Sequence, residues 1–180
     1  MKKWKLISSE KLLWNKWCKI RKDTVETEKG LLVDDYYVND RPDVVLILPI
    51  TQEGEIVLVR QYKHAAGEIL IELPGGFMED DEKDPLAAAK RELQEETGYG
   101  NGSFKKILTL FDNPTKDTNT LHVFLATGLE KVSAQHPDET ECLQIVKVTA
   151  EAAKEMVSKG EIKVSGSVAA ISVGLAQLGK

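Results

Sequence analysis

The feature that most constrains the fold is a pair of apolar segments in the first half of the chain. Val44–Ile50 reads VVLILPI, TQEGE follows as a turn, and Ile56–Tyr62 then reads IVLVRQY. Short apolar runs that are bounded by turn residues indicate buried strands. Because only a turn separates them, the two segments are predicted to pair as a β-hairpin.

The rest of the chain mixes strands and helices without regular alternation. Asp84 and Pro85 are typical of a helix N-cap and first helical position, and Gly98 suits the position after the helix ends. Pro74-Gly75-Gly76 is read as a turn. Further strands are predicted at Ile69–Leu73, Lys105–Leu110, Leu121–Ala126 and Gln144–Val148, and helices at Ala150–Ser158 and Val168–Leu178. The pattern predicts an α+β fold with a mixed β-sheet flanked by helices.

The first forty or so residues differ from the rest in their aromatic content and in their alternating pattern. They hold all three tryptophans, and short alternating stretches such as Trp17–Arg21 predict a small antiparallel sheet. A sheet of two or three strands is marginal alone, so its apolar face needs a partner, either the main domain or a second subunit. We therefore expect an N-terminal sheet over residues 1–43 and a main domain over residues 44–180.

Composition narrows the class of protein. The chain has 180 residues, of which 42% are hydrophobic and 29% charged, and a formal net charge of −5. These values are typical of a globular domain and argue against a general nucleic-acid binder, which would show a basic face. Cys18 and Cys142 lie far apart, outside any zinc-binding or disulfide pattern.

The chain start and the apolar runs bear on location. The start has no uninterrupted apolar stretch of the kind found in signal peptides, and Val44–Ile50 is too short to span a bilayer. We therefore expect a cytoplasmic protein without membrane contact.

A row of glutamates on the predicted helix indicates metal chemistry. Glu92 and Glu96 are four residues apart and share one helix face, with Glu95 beside them. Arg91 can pair with Glu95 at i,i+4 but is expected to leave Glu92 and Glu96 without a nearby cation. A hard divalent cation would convert their repulsion into coordination, because Mg²⁺ prefers oxygen ligands.

The alternative is that these glutamates are simply solvated, which is the usual state of such a helix segment. Their surroundings favour a site. An acidic loop at residues 79–82 precedes the helix, and a second acidic cluster follows at residues 138–141. Carboxylates that converge repel one another and destabilise the fold unless a metal ion offsets their charge.

These residues resemble the Nudix box, a loop-helix-loop signature of metal-dependent pyrophosphohydrolases. The matching positions are Gly76-x5-Glu82 and then Arg91-Glu92-Leu93-x-Glu95-Glu96-x-Gly98-Tyr99. Eight residues separate Glu82 from Arg91, where the family pattern has seven. The extra residue falls before Asp84, so it bears on the Glu82 contact and leaves the helix register unchanged. The resemblance implies an α/β/α sandwich.

Segments outside the box are similar to the ADP-ribose pyrophosphatase branch of that superfamily. Val59-Arg60-Gln61-Tyr62-Lys63 followed by Glu72-Leu73-Pro74-Gly75-Gly76 resembles VRQYR…ELPAG, with Lys63 in place of an arginine and Gly75 in place of an alanine. Pro114 lies sixteen residues after Gly98, about where the branch carries a proline. The resemblance implies hydrolysis of a nucleoside-diphosphate sugar, with ADP-ribose giving AMP and ribose 5-phosphate.

The resemblance also implies the roles of the site residues. Gly75 (through its carbonyl), Glu92, Glu95, Glu96 and Glu141 would hold Mg²⁺, which Mn²⁺ can replace. Glu139 is the expected general base, with the reverse assignment of Glu139 and Glu141 left open, and a plain surface loop is the alternative for both. The structural residues of the box would be Gly76, Glu82, Arg91 and Gly98.

Substrate contacts are expected from Arg60, Lys63 and Glu72. Strand alternation places Arg60 and Lys63 on opposite faces, so at most one touches phosphate directly, and Lys63 is favoured. Glu72 either contacts substrate or braces the turn. The three histidines show no metal spacing, and the N-terminal aromatic residues belong more often to a core than to a stacking site.

Two further expectations follow from the resemblance. Members of the branch are homodimers whose N-terminal sheets exchange, so a homodimer is expected here. The rival activities are hydrolysis of GDP-mannose or of a nucleoside triphosphate, and less favoured is a non-catalytic nucleotide-sensing domain, which would commonly have lost the box glutamates.

Overall fold

The computed structural model describes residues 1–136 and 142–179. The chain divides into two compact units, one formed by Met1–Pro42 with Phe111–Thr120 and the other by Asp43–Leu110 with Leu121–Lys180. In the described part of the chain, no helix combines the length and apolar character needed to cross a membrane.

The first unit is built on a three-stranded antiparallel sheet, as the alternating pattern predicts. Its strands are β1 (Lys5–Trp14), β2 (Lys19–Glu26) and β3 (Leu32–Asn39), in the order β1-β2-β3. The segment 111–120 joins this unit because Tyr36 donates to the carbonyl of Thr115 at 2.8 Å and the Asn39 amide donates to the carbonyl of Lys116 at 2.7 Å. All ten residues of β1 are exposed.

The second unit contains an eight-stranded mixed sheet. Its elements are β4 (Val44–Thr51), β5 (Ile56–Lys63), β6 (Glu68–Glu72), β7 (Gly75–Phe77), α1 (Pro85–Thr97), β8 (Tyr99–Gly100), β9 (Ser103–Leu110), β10 (Leu121–Lys131), β11 (Gln144–Val148), α2 (Ala150–Ser158) and α3 (Ser165–Gln177). The main strand order is β11-β5-β4-β10-β8, with β6 on β5, β7 on β4 and β9 on β10. β4 and β10 are parallel and the other pairs are antiparallel.

The central strands are buried on both faces, which explains the unbroken apolar run of β4. Leu46 and Leu48 belong to one core cluster with residues of α2 and α3, whereas Val45 and Ile47 belong to a second cluster with Leu93 of α1. Successive side chains of a strand point to opposite faces, so one strand supplies both cores. The α+β fold with a mixed sheet between helices is confirmed.

Several predicted boundaries differ from the structure, and three of the differences bear on the packing of the fold. β10 continues past Ala126 to Lys131 because an irregularity at Gly128, with φ of 69°, lets the strand resume after a register shift. α3 begins at Ser165 rather than Val168, and Ser167 in its first turn accepts the Leu73 amide at 2.9 Å. Gly75 and Gly76, read as part of a turn, lie in β7 and pair with Leu46 and Val45 of β4.

Candidate functional site

The glutamate-bearing helix begins and ends as its sequence predicts. Asp84 caps α1 by accepting the Leu86 amide at 3.0 Å, Pro85 is its first residue, and Gly98 ends it in the left-handed conformation with φ of 68°. Leu93 is fully buried. These contacts hold α1 against the sheet and fix which face carries Glu92, Glu95 and Glu96.

The two glycines of β7 pack directly against that helix face. The Gly75 amide donates to Oε2 of Glu96 at 2.9 Å, and Glu96 is only 3% exposed. A methyl group at Gly76 would lie 2.7 Å from the carboxyl atoms of Glu92. Glycine at position 76 is therefore what lets the Glu92 carboxylate approach the β7 backbone.

Arg91 gathers the carboxylates around one guanidinium. Its Nε and Nη2 donate to the two oxygens of Glu82 at 2.9 and 2.8 Å. Its Nη1 donates to Glu92 and Glu95, both at 2.9 Å, and its Nη2 also reaches the carbonyl of Phe77 at 3.3 Å. The Glu82 contact therefore exists despite the extra residue before Asp84.

The expectation that Arg91 leaves Glu92 without a cationic partner is wrong. Adjacent residues on a helix do not face each other, and that rule led to the expectation. The arginine side chain is long enough to lie along the helix surface and reach both Glu92 and Glu95. Glu96, the other glutamate expected to lack a cation, accepts the Gly75 amide instead.

The charges of this cluster shift two pKa values in opposite directions. Hydrogen bonding from Arg91 lowers the pKa of Glu82, and the backbone amide of Glu79 adds to the effect. Hydrogen bonding to Glu82 raises the pKa of Arg91, and Glu92 and Glu95 act in the same direction. Both residues therefore stay ionised near neutral pH.

The Glu82 contact leads to a pH-dependent stability prediction. At pH 7, Glu82→Gln is expected to lower the free energy of unfolding by about 1–2 kcal/mol because a charge-assisted bidentate contact is lost. A carboxyl group whose pKa is lowered in the folded state stabilises above its ordinary value of 4.5, and that stability is lost as pH falls through the lowered pKa. The measurement is urea unfolding of both proteins between pH 3 and pH 7.

Glu79→Gln provides the matched control, since Glu79 lies exposed in the same loop. Its stability is expected to follow wild type within about 0.5 kcal/mol. A Glu82→Gln deficit that stayed constant down to pH 3 would contradict the assigned role of the Arg91 contact.

The chemistry of the cluster suits a hard divalent cation. Glu82, Glu92, Glu95 and Glu96 are carboxylates, Arg91 is the cation that binds three of them, and the five side chains together carry more negative than positive charge. Carboxylate and carbonyl oxygens are the ligands that Mg²⁺ prefers. Within residues 1–136 and 142–179, no three His, Cys, Asp or Glu side chains are arranged as ready ion ligands, and oxygens of Glu92 and Glu96 accept hydrogen bonds from Arg91 and the Gly75 amide.

The predicted substrate residues separate onto two faces of β5. Lys63 donates to Oε1 of Glu72 at 2.9 Å, and Gln61 donates to the same oxygen at 2.9 Å. Glu72 is 8% exposed, so this buried carboxylate is bound by both donors. Ile50 pairs with Ile56, so odd-numbered residues of β4 and β5 lie on the same face of the sheet. Gln61 therefore lies on the face of Val45 and Ile47, which pack against α1.

Arg60 lies on the other face of β5. It is exposed and lines a cavity of about 410 Å³, whose other lining residues are Gln61, Tyr62, Ile69, Cys142 and Gln144. The structure therefore brings Lys63 and Glu72 together and places Arg60 apart from them. Glu139 and Glu141 lie outside the described residues.

Some contacting residues were not found from sequence. Gln61 lies in the Val59–Lys63 segment, but only the folded hairpin shows that it binds Glu72. His122 donates through Nε2 to the Asp43 carboxylate at 3.1 Å and accepts at Nδ1 from Lys106 at 2.9 Å, and sequence spacing alone gave no sign of these contacts. Both depend on residues far apart in the chain.

Two protein families match this chain. The Nudix domain family matches residues 40–164, and the N-terminal domain family of nucleoside diphosphate sugar hydrolases matches residues 4–39. The chain belongs to the Nudix family. Nudix hydrolases generally use divalent metal ions.

Three known proteins align with most of the chain. An ADP-ribose pyrophosphatase of Bacillus subtilis is 31% identical over 88% of this chain and 85% of its own. A methanol dehydrogenase activator of Bacillus methanolicus is 30% identical over 93% and 90%, and a GDP-mannose pyrophosphatase of Klebsiella pneumoniae is 27% identical over 87% and 84%. These matches place the chain among Nudix hydrolases.

A solved structure agrees with the Nudix fold. A crystal structure described as an ADP compounds hydrolase superposes with a TM-score of 0.87 at 21% identity, and the match covers 99% of this chain and 96% of that one. The α/β/α architecture with an N-terminal antiparallel sheet is thus shared along the whole length.

Proposed function

We propose that this Nudix protein hydrolyses the diphosphate of ADP-ribose to AMP and ribose 5-phosphate with Mg²⁺ as its metal. The observation that carries the proposal is the packing of α1 on β7, where Glu96 accepts the Gly75 amide and Glu92 lies against Gly76. A diphosphate and a cluster of carboxylates repel each other because both are negatively charged. A divalent cation between them would offset this repulsion.

The metal ligands in this proposal are Glu92, Glu95, Glu96, the Gly75 carbonyl and Glu141. When bound, Mg²⁺ would neutralise diphosphate charge and make a water more acidic, and Mn²⁺ can substitute for it. The Arg91 guanidinium holds Glu92 and Glu95 on one side of α1 until the ligands are engaged.

The chain's other residues bind substrate and move one proton. Glu139 accepts the proton of the attacking water, with Glu141 as the alternative base. The water oxygen bonds to one phosphorus, the bridging P–O bond breaks, and the bridging oxygen leaves with the other phosphate. Lys63, held by Glu72, contributes positive charge toward the diphosphate, while Arg60 on the opposite face contacts a more distant part of the substrate.

We further propose that the N-terminal sheet forms a homodimer interface. β1 carries exposed apolar side chains along its length, including Leu6, Ile7, Leu12 and Trp14, and Trp4 just before it is also exposed. A row of exposed apolar side chains on one strand indicates an interaction surface. A monodisperse monomer in analytical ultracentrifugation at micromolar concentration would contradict the dimer.

The second candidate substrate is GDP-mannose, because one relative carries that name. A substrate panel separates the two. With Mg²⁺ present, kcat/KM for ADP-ribose is expected to exceed those for GDP-mannose, UDP-glucose, NADH, diadenosine polyphosphates and nucleoside triphosphates by roughly tenfold or more. Product analysis should show AMP and ribose 5-phosphate. A clear preference for GDP-mannose or a triphosphate would overturn the proposed substrate, and no turnover of any would overturn the enzyme.

A further inference from the structure

The C-terminal end of α1 has an unfavourable distribution of charge. The last turn of the helix contains Glu95 and Glu96 and no basic residue. Carboxylates near a helix C-terminus are unfavourable because the macrodipole already places partial negative charge on the last carbonyl groups. Those carbonyls also lack partners within the helix. An external set of donors is therefore needed to hold this turn in one conformation.

Residues 131–136, which begin with the last residue of β10, supply those donors. The His136 amide donates to the Glu95 carbonyl at 2.8 Å, and Gln135 Nε2 donates to the Glu96 carbonyl at 2.6 Å. The Lys131 ammonium donates to the Thr97 carbonyl at 2.6 Å. The amides of Val132 and Ser133 then donate to the Gly98 carbonyl, at 2.9 and 3.2 Å. We call residues 131–136 the C-terminal clamp of α1.

Gly98 makes the close approach of the clamp possible. A methyl group at this position would lie 2.3 Å from the Ser133 carbonyl oxygen and 2.8 Å from Lys131 Nζ. The clamp thus follows the backbone of the helix end with no space for a side chain at residue 98. This proximity ties the position of the last helical turn to β10.

Glu96 is held from both sides through this arrangement. Its carboxylate accepts the Gly75 amide, and its own carbonyl accepts the Gln135 amide group. The side chain of Gln135 is partly buried, so its hydrogen bond is protected from competing water. Gln135 is neutral, so it acts on Glu96 by fixing the backbone and adds no charge to the site.

We propose that Gln135 is a positioning residue for metal binding, which fixes the helical turn that carries Glu95 and Glu96. This inference rests on the proposed metal role of those glutamates. A turn held in one conformation presents its carboxylates at fixed positions, and partners that orient metal ligands commonly tune metal affinity. Gln135 binds the Glu96 carbonyl, so we expect its effect to pass through the Glu96 backbone.

The test is Mn²⁺ binding to purified Gln135→Met, measured by electron paramagnetic resonance without substrate. Methionine keeps the length and approximate volume of the side chain but cannot donate a hydrogen bond. The Kd for Mn²⁺ is expected to rise roughly 3- to 10-fold. At saturating Mg²⁺, the KM for substrate should stay near wild type, while the Mg²⁺ concentration for half-maximal rate rises in parallel with the Kd.

Gln94→Met is the matched control, because it makes the same change at an exposed position of α1. It should leave the Kd for Mn²⁺ unchanged. A Gln135→Met protein with lowered stability but wild-type Mn²⁺ affinity at a temperature well below its Tm would show a merely structural role and overturn the inference.

Glu96→Gln distinguishes this failure from failure of the proposed function. If Glu96→Gln weakens Mn²⁺ binding strongly and Gln135→Met does not, the positioning role alone is wrong. If Glu96→Gln binds Mn²⁺ like wild type, the ligand assignment is wrong, and the positioning role falls with it.

Discussion

Glu96→Gln is expected to lower kcat for ADP-ribose hydrolysis by roughly 10²–10³-fold while leaving the fold intact, since charged groups at a reaction centre contribute several kcal/mol. Glutamine has nearly the same shape, and its Oε1 can still accept the Gly75 amide, so the contact between β7 and α1 is kept. Only the negative charge that would bind a cation is removed. The measurement combines steady-state kinetics at saturating Mg²⁺ with thermal unfolding followed by circular dichroism.

The controls for this prediction separate charge from structure. Without metal, Glu96→Gln should be as stable as wild type or more stable by a few tenths of a kcal/mol, because repulsion from Glu92 one turn away is relieved. Glu161→Gln removes the same charge at an exposed position outside α1 and should leave kcat unchanged. Near-normal turnover by Glu96→Gln would contradict its role as a ligand, and unfolding of the variant would show a structural role instead.

Gly98→Ala is expected to lower the free energy of unfolding by about 2–4 kcal/mol. Alanine at φ of 68° is strained, and its methyl group would lie 2.3 Å from the Ser133 carbonyl oxygen. The helix end or the clamp must therefore move, and the turn bearing Glu95 and Glu96 would move with them. In a protein of this size the corresponding fall in Tm is roughly 5–15 °C. Activity should fall even at temperatures where the variant is fully folded.

Gly67→Ala is a matched control for the backbone strain alone. Gly67 has φ of 67°, nearly the value at Gly98, and a methyl group there meets no atom within 4 Å. Gly67→Ala is expected to lower the free energy of unfolding by about 1–2 kcal/mol, which is the penalty for an alanine in the left-handed backbone conformation. Equal destabilisation by the two variants would mean that the contact with the clamp contributes nothing.

Local sequence signals predicted the part of the site that lies on one helix. Asp84, Pro85 and Gly98 mark the ends of α1, and these end signals depend only on neighbouring residues. The face shared by Glu92 and Glu96 follows from the helical period of 3.6 residues. The apolar run of β4 likewise identified a buried strand, because burial on both faces requires apolar residues at every position.

Contacts between distant segments could not be read from the sequence. Gln135 binds a carbonyl 39 residues away, and Gln61 binds Glu72 across a hairpin. The ion pair of Arg91 with Glu92 depends on a side-chain conformation that spacing rules do not determine. Ser167 in the first turn of α3 accepts the Leu73 amide, a contact between residues 94 positions apart that only the packed fold creates.

The Glu82–Arg91 contact shows how a departure from a family pattern can be harmless. The extra residue lies before the N-cap Asp84, in the loop, so the loop absorbs it while α1 keeps its register. Arg91 binds both oxygens of Glu82 as a result. The functional geometry thus depends on where an insertion falls rather than on the number of residues between two motif positions.

The most direct test of the central claim is anomalous diffraction from crystals of this protein soaked with Mn²⁺ and a non-hydrolysable ADP-ribose analogue. The account predicts an anomalous peak within coordination distance of the Glu92 and Glu96 carboxylates, with the analogue's diphosphate oxygens completing the coordination of the ion. A well-occupied analogue with no anomalous peak at α1, or with the ion bound elsewhere, would contradict it.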